Sequence, residues 1–134
     1  MCSEGRPGVD AAGNVRWYAG EVSDAYLRSS GPARGYSIVV WRGRHVADVS
    51  EMNADEMHAY WREVTVAARA LTDVFAPCQL NYNLLGNAVP HVHTHIVPRY
   101  LDDASPGTPL HWREDPVDPA VLREQAARLR AVVS

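Results

Sequence analysis

Between Asn53 and Pro77 the chain carries a pattern that admits one long amphipathic helix and little else. Met57, Tyr60, Trp61, Val64, Ala68, Leu71 and Phe75 recur at spacings of three and four, which lines them up on one side of a helix. Asn53 and Glu56 stand at capping-box spacing, so the Asn side chain can accept from the first-turn amides while the Glu reaches back to the cap amide. Pro77 has no amide hydrogen to continue the ladder and ends the run. The result is about six turns at 3.6 residues per turn. Its apolar stripe predicts that it covers a sheet face, and we read that stripe as core packing with nothing catalytic in it.

The segments around this helix have strand character. Val15-Arg16-Trp17-Tyr18-Ala19 alternates, residues 21–28 form a second short candidate, and the β-branched and aromatic run 36–41 follows the turn-forming Ser29-Ser30-Gly31-Pro32. Residues 79–84 read as a further strand, Gly86-Asn87 as a tight loop, and Pro90 leads into a strand of histidines. Residues 102–117 show no periodicity. Asp118-Pro119 then looks like an N-cap and first helical position, opening a short C-terminal helix anchored by Val121, Leu122, Leu129 and Val132. Several strands, one long helix and one short one predict an α+β domain. At 134 residues a single domain is expected, since a second would need roughly 100 more. Residues 1–14, polar and rich in Gly and Pro, are expected to be a flexible lead.

Composition narrows the partners. The formal charge of −3 gives no basic excess for a nucleic-acid backbone, so the expected ligand is small. No stretch approaches the roughly 18 apolar residues of a membrane span, and MCSEGRPGVD lacks the apolar run of a signal sequence. Cys2 and Cys78 are too few for a disulfide scaffold, which predicts a reducing, cytoplasmic setting; Cys78 is read as a small buried residue.

The run His91-Val92-His93-Thr94-His95 carries the chemistry. In a strand, residues two apart share a face, so the three imidazoles are predicted to project together and Val92, Thr94 and Ile96 to the other side. Three exposed imidazoles in strict alternation have no packing role. Spacing alone leaves two chemistries open, nucleophilic catalysis and a metal site, because imidazoles on a strand also ligate zinc, copper or iron. A metal-binding barrel of short strands is disfavoured by the long helix.

The flanking residues resemble a known family. Asn81-Tyr82-Asn83-Leu84-Leu85-Gly86-Asn87-Ala88-Val89-Pro90 before the histidines and Val97-Pro98-Arg99-Tyr100 after them are similar to the signature of histidine-triad (HIT) nucleotide hydrolases and transferases. The segment running from Arg34 and Gly35 through Tyr36-Ser37-Ile38-Val39-Val40-Trp41 to His45 and Val46 resembles the strand and turn that precede the long helix in that family. The resemblance implies an antiparallel sheet of about five strands packed with the two helices. It also implies attack on the α-phosphate of a dinucleoside polyphosphate or nucleoside phosphoramidate through a covalent nucleotidyl-histidine. On that reading His93 is the nucleophile, with its far ring nitrogen donating to a backbone carbonyl such as that of His91. His95 serves the leaving group as a proton donor and His91 completes the triad. Asn81, Gly86, Asn87, Ala88 and Val89 hold the nucleotide, the loop amides donating to phosphate oxygens without a metal or cofactor. A homodimer is implied as well.

Three positions depart from the family pattern. Ala25-Tyr26-Leu27-Arg28 stands where many members place an Asp for the ribose hydroxyls; Arg28 could face an anionic group of the substrate, but by itself reads as a solvated surface residue. Tyr36 stands where a fourth family histidine often lies. Cys2, His45 and His91 supply three possible zinc ligands, one short of a closed structural site, so no metal is expected. His58 and His111 show no partner pattern and read as surface residues. These departures leave a nucleotide-binding regulatory module with little turnover as the alternative to an enzyme.

Overall fold

The computed structural model of the protein describes residues 5–133. The elements in chain order are β1 (Val15–Ala19), β2 (Ser23–Leu27), β3 (Ser30–Gly31), β4 (Ser37–Trp41), α1 (Ala54–Phe75), β5 (Gln79–Asn83), β6 (His93–Arg99), β7 (Asp115–Pro116) and α2 (Pro119–Val133). Five strands make one antiparallel sheet in the order β1-β2-β4-β6-β5, and β3 pairs with β7 in a small separate ladder. The fold is α+β, with both helices packed on one face of the sheet.

Helix α1 begins at the capping box, with the Asn53 side chain accepting from the Glu56 amide and the Glu56 carboxylate accepting from the Asn53 amide, both at 2.9 Å. It ends at Ala76, which turns left-handed at φ 48° ahead of Pro77. Tyr60, Val64, Ala67, Leu71 and Phe75 are buried against Val15, Trp17, Leu27, Val39 and Ile96 of the sheet and Leu122, Ala126 and Leu129 of α2. Met57 departs from the expected stripe and is exposed, while Trp61 is half-buried in a groove between α1 and the edge strand β5. Val121 and Val132 are likewise exposed. The buried line of α2 is Leu122, Ala126 and Leu129, and Val121 points about 100° away from it. Cys78, expected to be buried, is exposed where the chain enters the edge strand, its thiol donating to the Arg99 carbonyl at 3.3 Å.

The other sheet face has its own small apolar cluster of Tyr26, Ile38 and Val40. Residues 5–14 run beside it. The Tyr26 hydroxyl donates to the Pro7 carbonyl at 2.8 Å, and Arg6 joins Arg42 on the fully buried carboxylate of Asp24 at 2.7 and 3.1 Å. From Arg6 onward, therefore, the lead expected to be flexible makes contacts with the sheet. No helix among the described residues is long and apolar enough to cross a membrane.

Candidate active site

Strand alternation assigns the histidines to the face opposite the helices. Thr94 and Ile96 point to the core, where Thr94 shares a hydrogen bond of 2.6 Å with the buried Tyr60 hydroxyl. His93 and His95 point the other way. Antiparallel register sets His93 beside Val40 and Asp24, and His95 beside Ile38, Tyr26 and Asn83. The two rings lie 5.0 Å apart edge to face.

The strict row of three is not kept. Strand β6 begins at His93, so His91 belongs to the bend before it, and its ring reaches the Trp41 carbonyl at 2.5 Å. A carbonyl only accepts, so His91 Nε2 carries a hydrogen. Its Nδ1 faces His45 Nδ1 at 3.4 Å. What His91 offers His93 is its backbone: His93 Nδ1 lies 2.6 Å from the His91 carbonyl oxygen. Nδ1 must be the donor there, which leaves the neutral ring a lone pair on Nε2.

His95 is polarised in the opposite sense. The Tyr36 hydroxyl lies 2.5 Å from His95 Nδ1, and burial pushes the Tyr36 phenol up to about 12, so the phenol keeps its proton. The phenol then donates to Nδ1, and a neutral His95 holds its hydrogen on Nε2. Two residues apart on the same face of one strand, His93 thus presents a lone pair and His95 an N–H. Burial lowers the pKa of all three imidazoles. For His95 it falls to about 4, with the charges of His93 and Arg28 adding to the effect. The rings are neutral at pH 7.

The remaining predicted residues are less tightly grouped. Residues 84–90 form an exposed connection from β5 into His91. The amides of Asn87, Ala88 and Val89 have no acceptor among the described residues, so they are free to donate. A Cβ on Gly86 would meet only the Ala47 carbonyl within ordinary contact distance, at 3.7 Å, and the Val89 carbonyl at 4.0 Å, so packing in this structure does not require the glycine. Asn81 on β5 is half-buried, and its carbonyl oxygen accepts from Arg99 at 2.8 Å, which leaves the amide hydrogens available. Arg28, expected in solvent, is instead half-buried with its guanidinium 5.6 Å from the centre of the Tyr36 ring.

Trp112 was invisible to pattern reading because it lies in the aperiodic stretch. Its ring packs edge-on against Tyr36 at 5.3 Å and against His95 at 6.1 Å, and its indole N–H donates to Glu114. Only an aromatic residue a short way beyond the histidine strand would have hinted at it. Cys2 lies outside the described residues. His45 and His91 by themselves supply two imidazoles, too few for the four protein groups of a structural zinc site.

The HIT domain family matches residues 15–102, about two thirds of the chain. Protein hit of Bacillus subtilis (strain 168) is 33% identical over 92 residues, which cover 65% of this chain and 63% of that protein. Among solved structures, a histidine triad protein from Bradyrhizobium japonicum superposes with a TM-score of 0.78 at 19% identity, covering 90% of this chain and 91% of that one. The Plasmodium falciparum diadenosine triphosphate hydrolase superposes with a TM-score of 0.64 at 11% identity, over 88% of this chain and 75% of that one. At these identities the structural likenesses speak for the fold.

Proposed function

This chain belongs to the HIT domain family, and from that premise we propose that it is a nucleotide hydrolase or nucleotidyl transferase working through a covalent nucleotidyl-histidine. The observation that carries the reading is the 2.6 Å contact from His93 Nδ1 to the His91 carbonyl, which aims a permanent lone pair from Nε2. The substrate class is a nucleotide with an activated α-phosphate, a dinucleoside polyphosphate or a nucleoside phosphoramidate.

His93 Nε2 attacks the α-phosphorus in line, and the bond from phosphorus to the leaving oxygen or nitrogen breaks. The ring then carries phosphorus on Nε2 and hydrogen on Nδ1, hence a positive charge that the His91 carbonyl stabilises. His95 donates its Nε2 hydrogen bond toward the departing atom. Water or another acceptor attacks the phosphorus, the bond from phosphorus to Nε2 breaks and returns the neutral His93, and the attacker's proton passes through solvent to the departed leaving group. The free amides of Asn87, Ala88 and Val89, in the loop with Gly86 that leads into His91, hold the phosphate without a metal, and Asn81 on β5 contacts the nucleotide.

One observation favours the alternative, a nucleotide-binding module with little turnover. With a pKa of about 4, His95 is a hydrogen-bond donor at pH 7 rather than a ready proton donor. Intact-mass spectrometry after brief incubation with adenosine phosphoramidate or diadenosine polyphosphates separates the two. The enzyme reading requires a nucleotidyl adduct and released AMP, both absent from His93→Ala. Nucleotide binding without adduct or turnover in wild type and variant alike would establish the module instead.

We also propose a homodimer in a reducing, cytoplasmic setting. Strand β5 is an open edge, with Tyr82 exposed beside an apolar groove lined by Trp61, Val64, Ala68 and Leu80. A second copy pairing edge to edge about a two-fold axis would cover both.

A further inference from the structure

Just past the end of β2, Arg28 continues the ladder by donating its amide to the Tyr36 carbonyl at 3.0 Å. Alternation from Asp24 and Tyr26 therefore sends its side chain to the histidine face. The guanidinium approaches the same Tyr36 ring that is hydrogen-bonded to His95. Its Nε is buried from solvent and has no hydrogen-bond partner among the described residues. Glu114, close enough to feel the charge of Arg28, is engaged by the Ser30 hydroxyl at 2.7 Å and by the Trp112 indole, and forms no ion pair with Arg28.

A buried donor without an acceptor is costly, and native structures keep few of them without a reason. Here the group sits on the reactive face, carries a full positive charge, and presents the planar fork that suits an oxyanion. On that face Arg28 is set off from His93, although its charge acts on both His93 and His95. Arg28 lies two strands over from β6 and level with Tyr36, four residues along β4 from the Val40 that pairs with His93. At ordinary sheet spacings that is roughly 10 Å across and about 13 Å along. Side chains reaching toward each other from such positions span a substrate with two separated anionic groups.

We propose that Arg28 is the receptor for a second phosphate of the substrate, distinct from the phosphoryl group at His93. The inference rests on the nucleotide reading above and narrows it to nucleotides that carry an additional phosphate. That phosphate has two possible sources, the ribose (2′ or 3′) and the chain beyond the α-phosphorus.

Affinities of the whole protein for AMP, ADP, ATP, adenosine 2′,5′-bisphosphate and adenosine 3′,5′-bisphosphate, measured by calorimetry, test it in wild type, Arg28→Gln and Arg28→Lys. In wild type at least one doubly phosphorylated ligand should bind about tenfold or more tightly than AMP, as expected for a hydrogen bond to a charged group. The ligand that does so identifies the source. In Arg28→Gln that ratio should fall toward one, and Arg28→Lys should retain part of it. Because the ratio is taken within each protein, a loss of folded fraction cancels. Equal affinities for all ligands in wild type, or an unchanged ratio in Arg28→Gln, overturn the role of Arg28 while leaving the nucleotide reading standing. Failure of wild type to bind AMP or any of the others overturns both.

Discussion

The chemistry at the residue scale lies in where two protons sit. His93 and His95 are the same side chain two positions apart, yet a carbonyl at Nδ1 of one and a phenol at Nδ1 of the other give them opposite tautomers. Both are kept neutral chiefly by burial, and this has a consequence for stability. In the unfolded chain an imidazole titrates near 6.5; in the folded protein His95 titrates at about 4. Between those values the unfolded state binds the extra proton, so stability is fully present above pH 6.5 and is lost as the pH falls toward 4. A pKa difference of one is worth about 1.4 kcal/mol, so His95 alone should remove up to about 2 kcal/mol by pH 5. Urea unfolding at pH 7.5 and pH 5 measures this, and His95→Asn should flatten the difference. Equal slopes in the two proteins would show that His95 titrates normally.

Among the elements, the shortest ones complete the site. The pairing of Ser30 with Pro116 and of Gly31 with Asp115 folds the aperiodic stretch back over the sheet, and this brings Glu114 to Ser30 and Trp112 to Tyr36 and His95. Gly31 lies so close to the Tyr36 ring that a Cβ there would overlap it. We expect Gly31→Ala to displace Tyr36, with a loss of about 1–3 kcal/mol, the usual cost of overpacking. Nitrogen chemical shifts of His95 should then show the Nε2–H tautomer losing its dominance. A variant that keeps both wild-type stability and the wild-type tautomer would mean that β3 has no part in holding Tyr36. The capping box of α1, by contrast, bonds Asn53 to Glu56 and Glu56 to Arg44, whereas the rings of His93 and His95 are held by the His91 carbonyl and the Tyr36 hydroxyl, so its loss should affect stability without altering their tautomers.

For the whole molecule, one open edge decides how it assembles. Tyr82 on β5 is 45% exposed, apolar surface on a strand with unpaired groups and beside the groove lined by Trp61, Val64 and Ala68. The proposed dimer predicts a sedimentation mass twice that of the 14.8 kDa chain, and Tyr82→Lys should shift it toward the monomer. A monomer in wild type at tens of micromolar would count against this edge as an interface.

Much of this architecture could be read from the chain alone, because it depends on local periodicity. The spacing of three and four from Tyr60 to Phe75 dictates a helix wherever it is placed, and the alternation of His93, Thr94 and His95 dictates two faces of a strand. Asn53 with Glu56, and Asp118 with Pro119, mark helix starts by chemistry that acts within one turn. Contacts between distant segments were not legible in the same way. No pattern announces that Tyr36 bonds to His95, that Trp112 packs on both, that the His91 ring turns to Trp41, or that Arg28 loses its water. Each depends on which strands become neighbours and on what a loop covers, and those are properties of the assembled sheet. The sequence by itself determined the α+β class, the two helices and the presence of reactive imidazoles on one strand. Only the tertiary structure decided which nitrogen of each ring carries the hydrogen, because that is set by acceptors and donors 46 to 59 residues away in the chain, apart from the one carbonyl that His91 supplies.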